Sequence, residues 1–547
     1  MRKLLDGYFP TVVGDDGRPS LRLTLHHALY FLLLFVLVGA QPVSNFMMSG
    51  MEILLFANWV FEWDMRRKFA ARRRGTMALL LAFAVLMVVH LLWMLPTENL
   101  AYGWKDLFAK LPLLAIPLVL LTSRPLNRKQ LEWLFFTLVA TVFVACIVGC
   151  IRMVRMPDLP YREVPFISHI RFALNVCLSL LFIVQFLVRR HKERMQRGML
   201  RDPLSWLLLC VAAFMTYFLL CIKSYTAFVV LAVVAMSLLL IYWKRFANKR
   251  LRNVAALGFL LLVIVALTLS VRFYNDYYRP KPLMQQPLAA VTQQGNAYHH
   301  LQDGLIEDGN YVNNYICPTE LEQEWTKRST LRLCDTTPNG YTIQPTLVRY
   351  LNALGTTKDS VGMQLLSDED IRNIEQGIAN PVYAAPRPLK QMYYVMFYEY
   401  ENYRCYRAVK GFTMLQRLEL WRNAWRVFSE HPLLGVGTGD VVDACHAQLK
   451  RDDSPLADTN IHSHNQYLTF LVTFGIVGFL IIVVAFVWAL RRTRFFKLPI
   501  AAGYLIIVLI SFLTEDTLET LAGAVFAVLF FCLLALYKEV QETDSAG

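Results

Sequence analysis

The chain has 547 residues, of which 56% are hydrophobic, and its mean hydropathy is +0.39. This apolar share exceeds that of ordinary soluble domains, so the composition excludes a soluble enzyme and indicates an integral membrane protein. The net charge of +14 could suit nucleic acid, but the basic residues sit in short loops between apolar segments. That distribution argues against a nucleic-acid partner.

About twelve apolar segments predict membrane-spanning helices and an all-α, polytopic fold. They lie near 25–41, 43–63, 76–95, 107–122, 131–151, 170–188, 204–222, 226–243, 253–274, 465–490, 498–513 and 517–537. The fourth and eleventh are shorter than the roughly 20 residues that a perpendicular span needs.

Five basic clusters separate these segments, at Arg66–Arg74, Arg124–Lys129, Arg189–Arg201, Lys244–Arg252 and Arg491–Lys497. Short basic loops face the cytoplasm, which places both termini inside and the long region 275–464 outside. We therefore expect three parts. These are an N-terminal bundle of about nine spans (1–274), a helical external domain (275–464), and about three C-terminal spans with a short cytoplasmic tail (465–547).

The external region carries helix signals. Ser367 and Asp370 predict a capping box at a helix start. The stretch Tyr393–Tyr406 holds seven aromatic residues, which could stack on sugar rings, form the domain core or lie in an interfacial belt.

Four cysteines lie outside, Cys317, Cys334, Cys405 and Cys445. An even number of cysteines in an oxidising compartment permits two disulfides. Of the three possible pairings, Cys317–Cys334 with Cys405–Cys445 is preferred. Metal binding is disfavoured because no CxxC or His–Cys spacing typical of zinc occurs.

An amphipathic helix follows, with Arg417 on the same stripe as Trp421 and Phe428. A guanidinium on that face needs an anionic partner, so Arg417 is a candidate site residue. Arg422 lies on another face, where it can pair with Glu419. After the helix, a glycine run (Gly435, Gly437, Gly439) could offer backbone N–H groups to a phosphate or form a plain turn.

His464 stands where apolar sequence resumes, near a predicted helix N-terminus that favours anions and a neutral imidazole. It is either a base or an interfacial capping residue, and His462 could substitute for it. Two cations, Arg171 and Lys223, lie at predicted external helix ends, where they either snorkel or bind a diphosphate.

External carboxylates are equally ambiguous. Glu515 and Asp516 could orient His464 or lie in a solvated loop, and the same holds for Asp440 and Asp443.

The runs RLELW…HPLLGVGTG and HNQYLTFLVTFGIVG resemble the signature region of the O-antigen ligase and polymerase superfamily. His464-Asn465, nine residues and then Gly475-x-x-Gly478 are similar to the pattern of its ligases. The long insert, around RYLNALGTTKDSVGMQLLSDEDIRNIEQGIAN, resembles that of Bacteroidetes members. Where the family has Ser-Arg-Gly, this chain has Ser224-Tyr225-Thr226 with Lys223 just before it.

The resemblance implies a glycosyltransferase of the bacterial inner membrane that faces the periplasm and uses neither metal nor cofactor. It would move a glycan from polyprenyl (undecaprenyl) diphosphate to an acceptor. The acceptors, in order of preference, are lipid A core (O-antigen ligase), a growing chain (O-antigen or exopolysaccharide polymerase) and a protein hydroxyl (protein O-oligosaccharyltransferase).

Direct displacement at the anomeric carbon predicts an inverting reaction. Its catalytic residues would be His464 and Arg417, and the diphosphate would bind Arg171, Arg417, Lys223 and Arg422. The competing hypothesis is a transporter or flippase for the same lipid-linked glycan. Because the notable charges gather at one surface, the sequence disfavours it.

Overall fold

The structure is a computed structural model that describes residues 10–13, 18–70, 74–156, 159–193, 202–243, 249–338, 340–459 and 463–544. The chain divides into two compact units, Met1–Ala247 with Leu420–Gly547, and Asn248–Glu419. Each unit is described separately below.

The first unit contains ten helices before the division, among the residues described. These are α1 (Leu21–Ala40), α2 (Asn45–Phe61), α3 (Met65–Ala70), α4 (Arg74–Leu92), α5 (Leu100–Ala109), α6 (Pro112–Thr122), α7 (Arg128–Arg155), α8 (His169–Glu193), α9 (Pro203–Cys221) and α10 (Tyr225–Ile241).

The second unit begins with a long helix and continues with short ones and a small hairpin. Its elements are α11 (Lys249–Tyr278), α12 (Pro282–Gln285), β1 (Ile306–Glu307), β2 (Asn310–Tyr311), α13 (Pro318–Thr326), α14 (Ile343–Leu354), α15 (Ser360–Gln364), α16 (Asp368–Glu375), α17 (Pro381–Ala384) and α18 (Pro388–Tyr406).

Helix α19 (Thr413–Glu430) runs across the division, and the chain then returns to the first unit. The remaining elements are α20 (Val441–Arg451), α21 (Gln466–Arg492), a 3₁₀ turn (Phe495–Lys497), α22 (Pro499–Thr514), a second 3₁₀ turn (Thr517–Glu519) and α23 (Leu521–Asp544).

Each predicted apolar segment coincides with a helix, and the all-α, polytopic fold class is confirmed. Eight of the described helices are long and apolar enough to cross a membrane. The other four segments form shorter helices: α2 and α10 have 17 residues, α22 has 16 and α6 has 11. Eight of the twelve expected spans therefore coincide with candidate spans among the described residues, and the other four stay predictions.

Helix α23 is the most enclosed of the eight. Within its apolar window 94% of the residues are buried, compared with 39% for α21. It packs against α6, α22 and α7 and supplies much of the first unit's apolar core. The core of this unit is thus assembled around its final helix.

Charged contacts join several of the predicted cytoplasmic loops. Glu62 pairs with Arg67 at 3.0 Å and lies 3.7 Å from Arg124. Glu132 at the start of α7 pairs with Arg189 at the end of α8. These contacts gather loop regions at one end of the first unit, as the basic clusters predict. Which side of the membrane that end faces stays a prediction, and so does the three-part domain division.

Helix α21 is broken at Gly475, which has φ 62° and ψ −170°. The chain from 432 to 437 fills the break with backbone hydrogen bonds. These bonds are Val436 N to Val472 O (2.9 Å), Gly437 N to Thr473 O (3.0 Å), Ile476 N to Pro432 O (2.9 Å) and Val477 N to Leu433 O (3.1 Å). Backbone groups exposed by the break are thereby paired, as apolar surroundings require.

Glycine is needed on both sides of this junction. A Cβ on Gly475 would lie 2.3 Å from Leu433 O, and one on Gly435 would lie 2.5 Å from Thr473 O. Both residues also have positive φ, which a side chain disfavours. Gly478 instead faces Trp93, just beyond α4, where a Cβ would lie 3.1 Å from the indole ring.

The glycine run does not offer its N–H groups to a phosphate. Gly435 N donates to His431 O at 3.0 Å, Gly437 N donates to Thr473 O, and Gly439 N donates to Thr97 Oγ1 at 3.1 Å. Of the two alternatives for this run, phosphate binding is therefore wrong and the plain turn is correct, because each N–H group already donates within the protein.

In the second unit, β1 and β2 form a tight hairpin around Asp308 and Gly309, both with positive φ. Glu307 on this hairpin is fully buried and binds Arg349 of α14 at 2.8 and 2.9 Å. The guanidinium of Arg349 also stacks on Tyr398, 3.5 Å from the ring centroid. This buried pair fixes the hairpin to α14 and α18.

The predicted capping box is present at the start of α16, where Ser367 and Asp370 exchange both hydrogen bonds. The aromatic stretch forms α18. There Tyr394 is 1% exposed, and Tyr394 and Phe397 pack on Tyr277 of α11 with ring centroids 5.1 and 5.2 Å apart. This part of the aromatic face is domain core.

The predicted disulfides are wrong, because all ten cysteines are free. Cys317 is buried just before α13, whereas Cys334 is exposed. Cys405 belongs to the second unit and Cys445 to the first. An even cysteine count outside the apolar segments was therefore an insufficient guide.

We expect Gly475→Ala to lower the free energy of unfolding by about 3 kcal/mol or more, since it combines strained backbone with a steric clash at Leu433 O. The matched control is Gly50→Ala in α2, where no atom lies within 4 Å of the added Cβ; it should be neutral or slightly stabilising. Thermal unfolding of both variants in detergent measures the difference. Equal melting temperatures would contradict the role given to the break.

Candidate active site

The turn that carries His464 is held by one buried carboxylate. Asp516, 5% exposed, accepts hydrogen bonds from His464 N at 2.7 Å and Asn465 N at 3.1 Å. It also accepts from Ser463 Oγ at 3.3 Å and Thr469 Oγ1 at 2.8 Å. His464 itself adopts a left-handed conformation, with φ 51°. The carboxylate therefore compensates for an unfavourable backbone conformation at the candidate base.

The His464 side chain remains 38% exposed, and its Nδ1 lies 3.9 Å from Glu515 Oε2. Glu515 therefore places a carboxylate beside the imidazole. Arg171, in the first turn of α8, interacts electrostatically with both Glu515 and Asp516. The structure thus brings Arg171 and His464 to the same acidic turn.

Arg171 retains hydrogen-bonding capacity at this location. Its Nε atom is buried and donates to no partner among the described residues. An unsatisfied buried donor is unfavourable. An anionic group placed beside it would remove that penalty.

The start of α21 is anchored by its first residue. Gln466 donates to Glu519 Oε1 at 2.9 Å and accepts from Leu518 N at 2.8 Å. Glu519 in turn binds Lys110 Nζ at 2.6 Å, and Lys110 binds Asp106 at 2.6 Å. A buried charged chain therefore supports the residue two positions after His464.

Glu519 and Lys110 in this chain are held in their charged forms in spite of burial, and both lie outside the candidate spans. Burial opposes the charge on Glu519, but the Lys110 ammonium and two hydrogen bonds outweigh it and lower the pKa of Glu519 to about 2. Burial likewise opposes the charge on Lys110, and its two carboxylate partners raise its pKa above the usual value.

An apolar cavity of about 420 Å³ begins beside this turn. Tyr467 and Phe470, in the first turns of α21, line one end, and Arg491 lines the other. Tyr467 and Arg491 lie near opposite ends of α21, which is broken at Gly475. The remaining walls come from α4, α6, α22, α23 and the two 3₁₀ turns, so an extended hydrocarbon chain could lie along α21.

Lys223 lies at the same end of the first unit as Arg171. Its ammonium is 5.7 Å from the Tyr161 ring centroid. Cys177, on α8 six positions after Arg171, donates to Ala227 O at 3.7 Å. Because Ala227 is four residues beyond Lys223, the two cations share this end of the α8–α10 contact.

The other candidate cations lie on α19. Arg417 is half-buried in the second unit, and Arg422 is exposed in the first, where it interacts electrostatically with Asp452. A meeting of Arg417 with His464 stays a prediction. His462 lies outside the described residues.

Asp440 and Asp443 hold a neighbouring loop. Asp440 accepts from Glu98 N at 2.9 Å and from Asn99 N at 2.8 Å, and Asp443 accepts from the Asn99 side chain at 2.8 Å. Asn99 caps α5. These aspartates therefore have a structural explanation.

Sequence reasoning undervalued Asp516 and missed Lys110 and Glu519. The available signal was the presence of carboxylates in a very short connection between two apolar helices, α22 and α23. Within the part of the chain that the structure describes, no group of three or more His, Cys, Asp or Glu side chains could hold a metal ion.

Residues 389–483 match the family described as O-Antigen ligase. This match supports membership of the O-antigen ligase superfamily. No curated protein matches the chain. The matched region of this O-antigen ligase-like protein extends from α18 to beyond the break in α21, and it includes Arg417, His464 and both glycines of the GxxG motif.

The match indicates a glycosyltransferase-like ligase, and the apolar helices indicate a membrane protein. The O-antigen ligase family acts on lipid-linked glycans and their acceptors in general. Asp106, Lys110, Arg171 and Asp516 lie outside the matched region. The acidic turn around His464 therefore combines the ligase signature with residues from the rest of the first unit.

We expect Asp516→Asn to lower the free energy of unfolding by about 1–3 kcal/mol, because an amide nitrogen cannot accept from the N–H groups of the His464 turn. The control is Asp443→Asn, whose side chain is exposed and binds Asn99; its effect should stay within about 0.5 kcal/mol. Thermal unfolding in detergent provides the measurement. A fully stable Asp516→Asn protein would contradict the anchoring role.

Proposed function

We propose that the protein is an inverting, metal-independent glycosyltransferase at the periplasmic face of the bacterial inner membrane. Its donor is a glycan on undecaprenyl diphosphate, and its preferred acceptor is lipid A core, as for an O-antigen ligase. The observation that supports this most strongly is that the acidic turn beside His464 and Arg171 also adjoins an apolar cavity, which Tyr467 and Leu518 line.

The cavity suits the donor's lipid. Its walls between Tyr467 and Arg491 are almost wholly hydrocarbon or aromatic, and a polyprenyl chain entering from the bilayer would be held there by van der Waals packing. A lipid held along α21 would carry its diphosphate to the His464 turn. Arg171 is already at that turn, with an unpaired Nε.

In the proposed reaction, His464 accepts the proton of the acceptor hydroxyl as that oxygen attacks the anomeric carbon. The bond from the anomeric carbon to the diphosphate oxygen breaks, and its electron pair leaves with the diphosphate. Glu515, 3.9 Å from the imidazole, stabilises the imidazolium that forms. The proton then passes to solvent or to the leaving group.

Cations supply the larger part of the proposed acceleration. Arg171, Arg417 and Lys223 would offset the charge that develops on the diphosphate, with Arg422 as a peripheral contributor. Direct attack without a covalent intermediate inverts the anomeric configuration. The same chemistry serves a polymerase or a protein O-oligosaccharyltransferase, which differ only in the acceptor hydroxyl.

Glycan transfer by purified protein in detergent tests this function, with a defined undecaprenyl-diphosphate glycan and the three acceptors supplied separately. We expect His464→Ala to reduce transfer about 10²–10⁴-fold and Arg171→Gln to reduce it about 10²–10³-fold. His431→Ala is the control, since His431 is exposed beyond the end of α19, and it should transfer normally.

Product with lipid A core alone supports the ligase, and product with another acceptor reassigns the enzyme within the superfamily. Donor binding without release of undecaprenyl diphosphate, with any acceptor, would favour the transporter and overturn the catalytic roles.

We expect a bulky residue in the cavity to weaken donor binding. Leu509→Trp, on the cavity wall of α22, should raise the KM for the donor about tenfold or more and leave kcat largely unchanged. Leu513→Trp is the control, because Leu513 is equally exposed on α22 but does not line the cavity. Steady-state transfer kinetics separate the two parameters. An identical donor KM in both variants would show that the lipid binds elsewhere.

A further inference from the structure

The second unit contains a cavity of about 390 Å³ that the proposed reaction does not use. This volume falls within the roughly 300–1,000 Å³ typical of small-ligand pockets. It is formed by α12 and the residues after it, by the loop around Gly304, and by the chain from β2 to Tyr315.

The cavity wall is polar but uncharged. Its polar side chains are amides and phenols, Gln286, Gln302, Asn310, Asn314, Tyr311 and Tyr315, and its apolar side chains are Leu283, Met284 and Leu288. None of the described lining residues carries an ionised side chain. Amides and phenols both donate and accept hydrogen bonds, and the apolar side chains can cover the C–H face of a sugar ring.

Two of the amides have an unpaired oxygen atom. The Oδ1 atoms of Asn310 and Asn314 are buried and accept no hydrogen bond within the described residues, and the two side chains are 1% and 5% exposed. The Asn310 amide nitrogen is occupied, donating to Asn352 O at 3.3 Å. The unused group is therefore the oxygen, which needs a donor.

An unsatisfied buried acceptor is costly, and native structures usually pair such groups. The two oxygens have almost no accessible surface, so the groups that face a ligand are the other amide and phenol atoms of the wall. These groups are uncharged and both donate and accept hydrogen bonds. The wall thus favours a neutral, hydroxyl-rich ligand over an anionic one.

The wall is also held in place before any ligand binds. Tyr315 has a left-handed backbone, with φ 57°, and its N–H donates to His300 Nδ1 at 3.1 Å. Its hydroxyl donates to Pro287 O at 3.0 Å, and its ring packs edge-on against Tyr298 and His300. A fixed wall lowers the entropy cost of binding.

We propose that this cavity binds an uncharged sugar residue of the glycan, whose hydroxyl groups form hydrogen bonds with the amide and phenol groups of the wall. The identity of that ligand as part of the transferred glycan rests on the proposed function. The cavity is a recognition site and takes no part in bond cleavage.

The test uses full-length protein in detergent and the water-soluble glycan released by mild acid from the lipid-linked glycans of the producing cells. This probe lacks both lipid and diphosphate. Isothermal calorimetry should show binding to wild type and to His464→Ala. The affinity for the glycan should fall at least tenfold in Asn314→Leu and in Gln302→Ala. The second variant guards against a folding defect, because the Gln302 side chain is exposed.

The matched control is Asn373→Leu, a half-buried amide of the same unit that does not line the cavity; it should bind as wild type does. Absence of glycan binding to wild type, or equal binding to all variants, overturns the cavity assignment. If wild type still transfers glycan in that case, the proposed function survives. Binding that depends on Asn314 and Gln302 in a protein that transfers nothing would support the cavity and refute the enzyme.

Discussion

A polypeptide in apolar surroundings must pair its own backbone groups, and this constraint decides how the first unit is built. Helix α21 is interrupted at Gly475, yet the chain at 432–437 supplies the missing hydrogen bonds. The same loop reaches α4, since Thr438 donates to His90 O and Leu434 O accepts from the Trp93 indole. Two glycine-containing segments, the loop 432–437 and the break in α21, therefore pack together through backbone hydrogen bonds.

The buried charged groups at the candidate site are likewise paired within the protein. Asp516, Glu519 and Lys110 are buried, and each is satisfied by several hydrogen bonds or ion pairs. Buried charges contribute little net stability, but removing one partner leaves the other uncompensated. Their arrangement is better understood as fixing the position of the His464 turn, which carries an exposed imidazole that must stay accessible.

Much of the fold could be predicted from hydropathy, since each apolar segment became a helix, and the capping box at Ser367 followed from local chemistry. His464 was recognised because it begins an apolar helix within a motif. The roles of Asp516 and the glycines could not be predicted, because they depend on which distant backbone lies opposite. The lengths of the spans, and whether Cys317 and Cys334 form a disulfide, likewise depend on the tertiary structure and cannot be read from residue counts.

The burial of α23 has a consequence for biosynthesis. This helix packs against α6, α7 and α22 and is the most enclosed of the candidate spans, yet it is translated after every other helix that the structure describes. The surfaces of α6, α7 and α22 that contact α23 therefore lack this packing partner until α23 itself inserts. Only then can the short connection that carries Asp516 close over the His464 turn, so a nascent chain would acquire a complete site after membrane insertion is nearly finished.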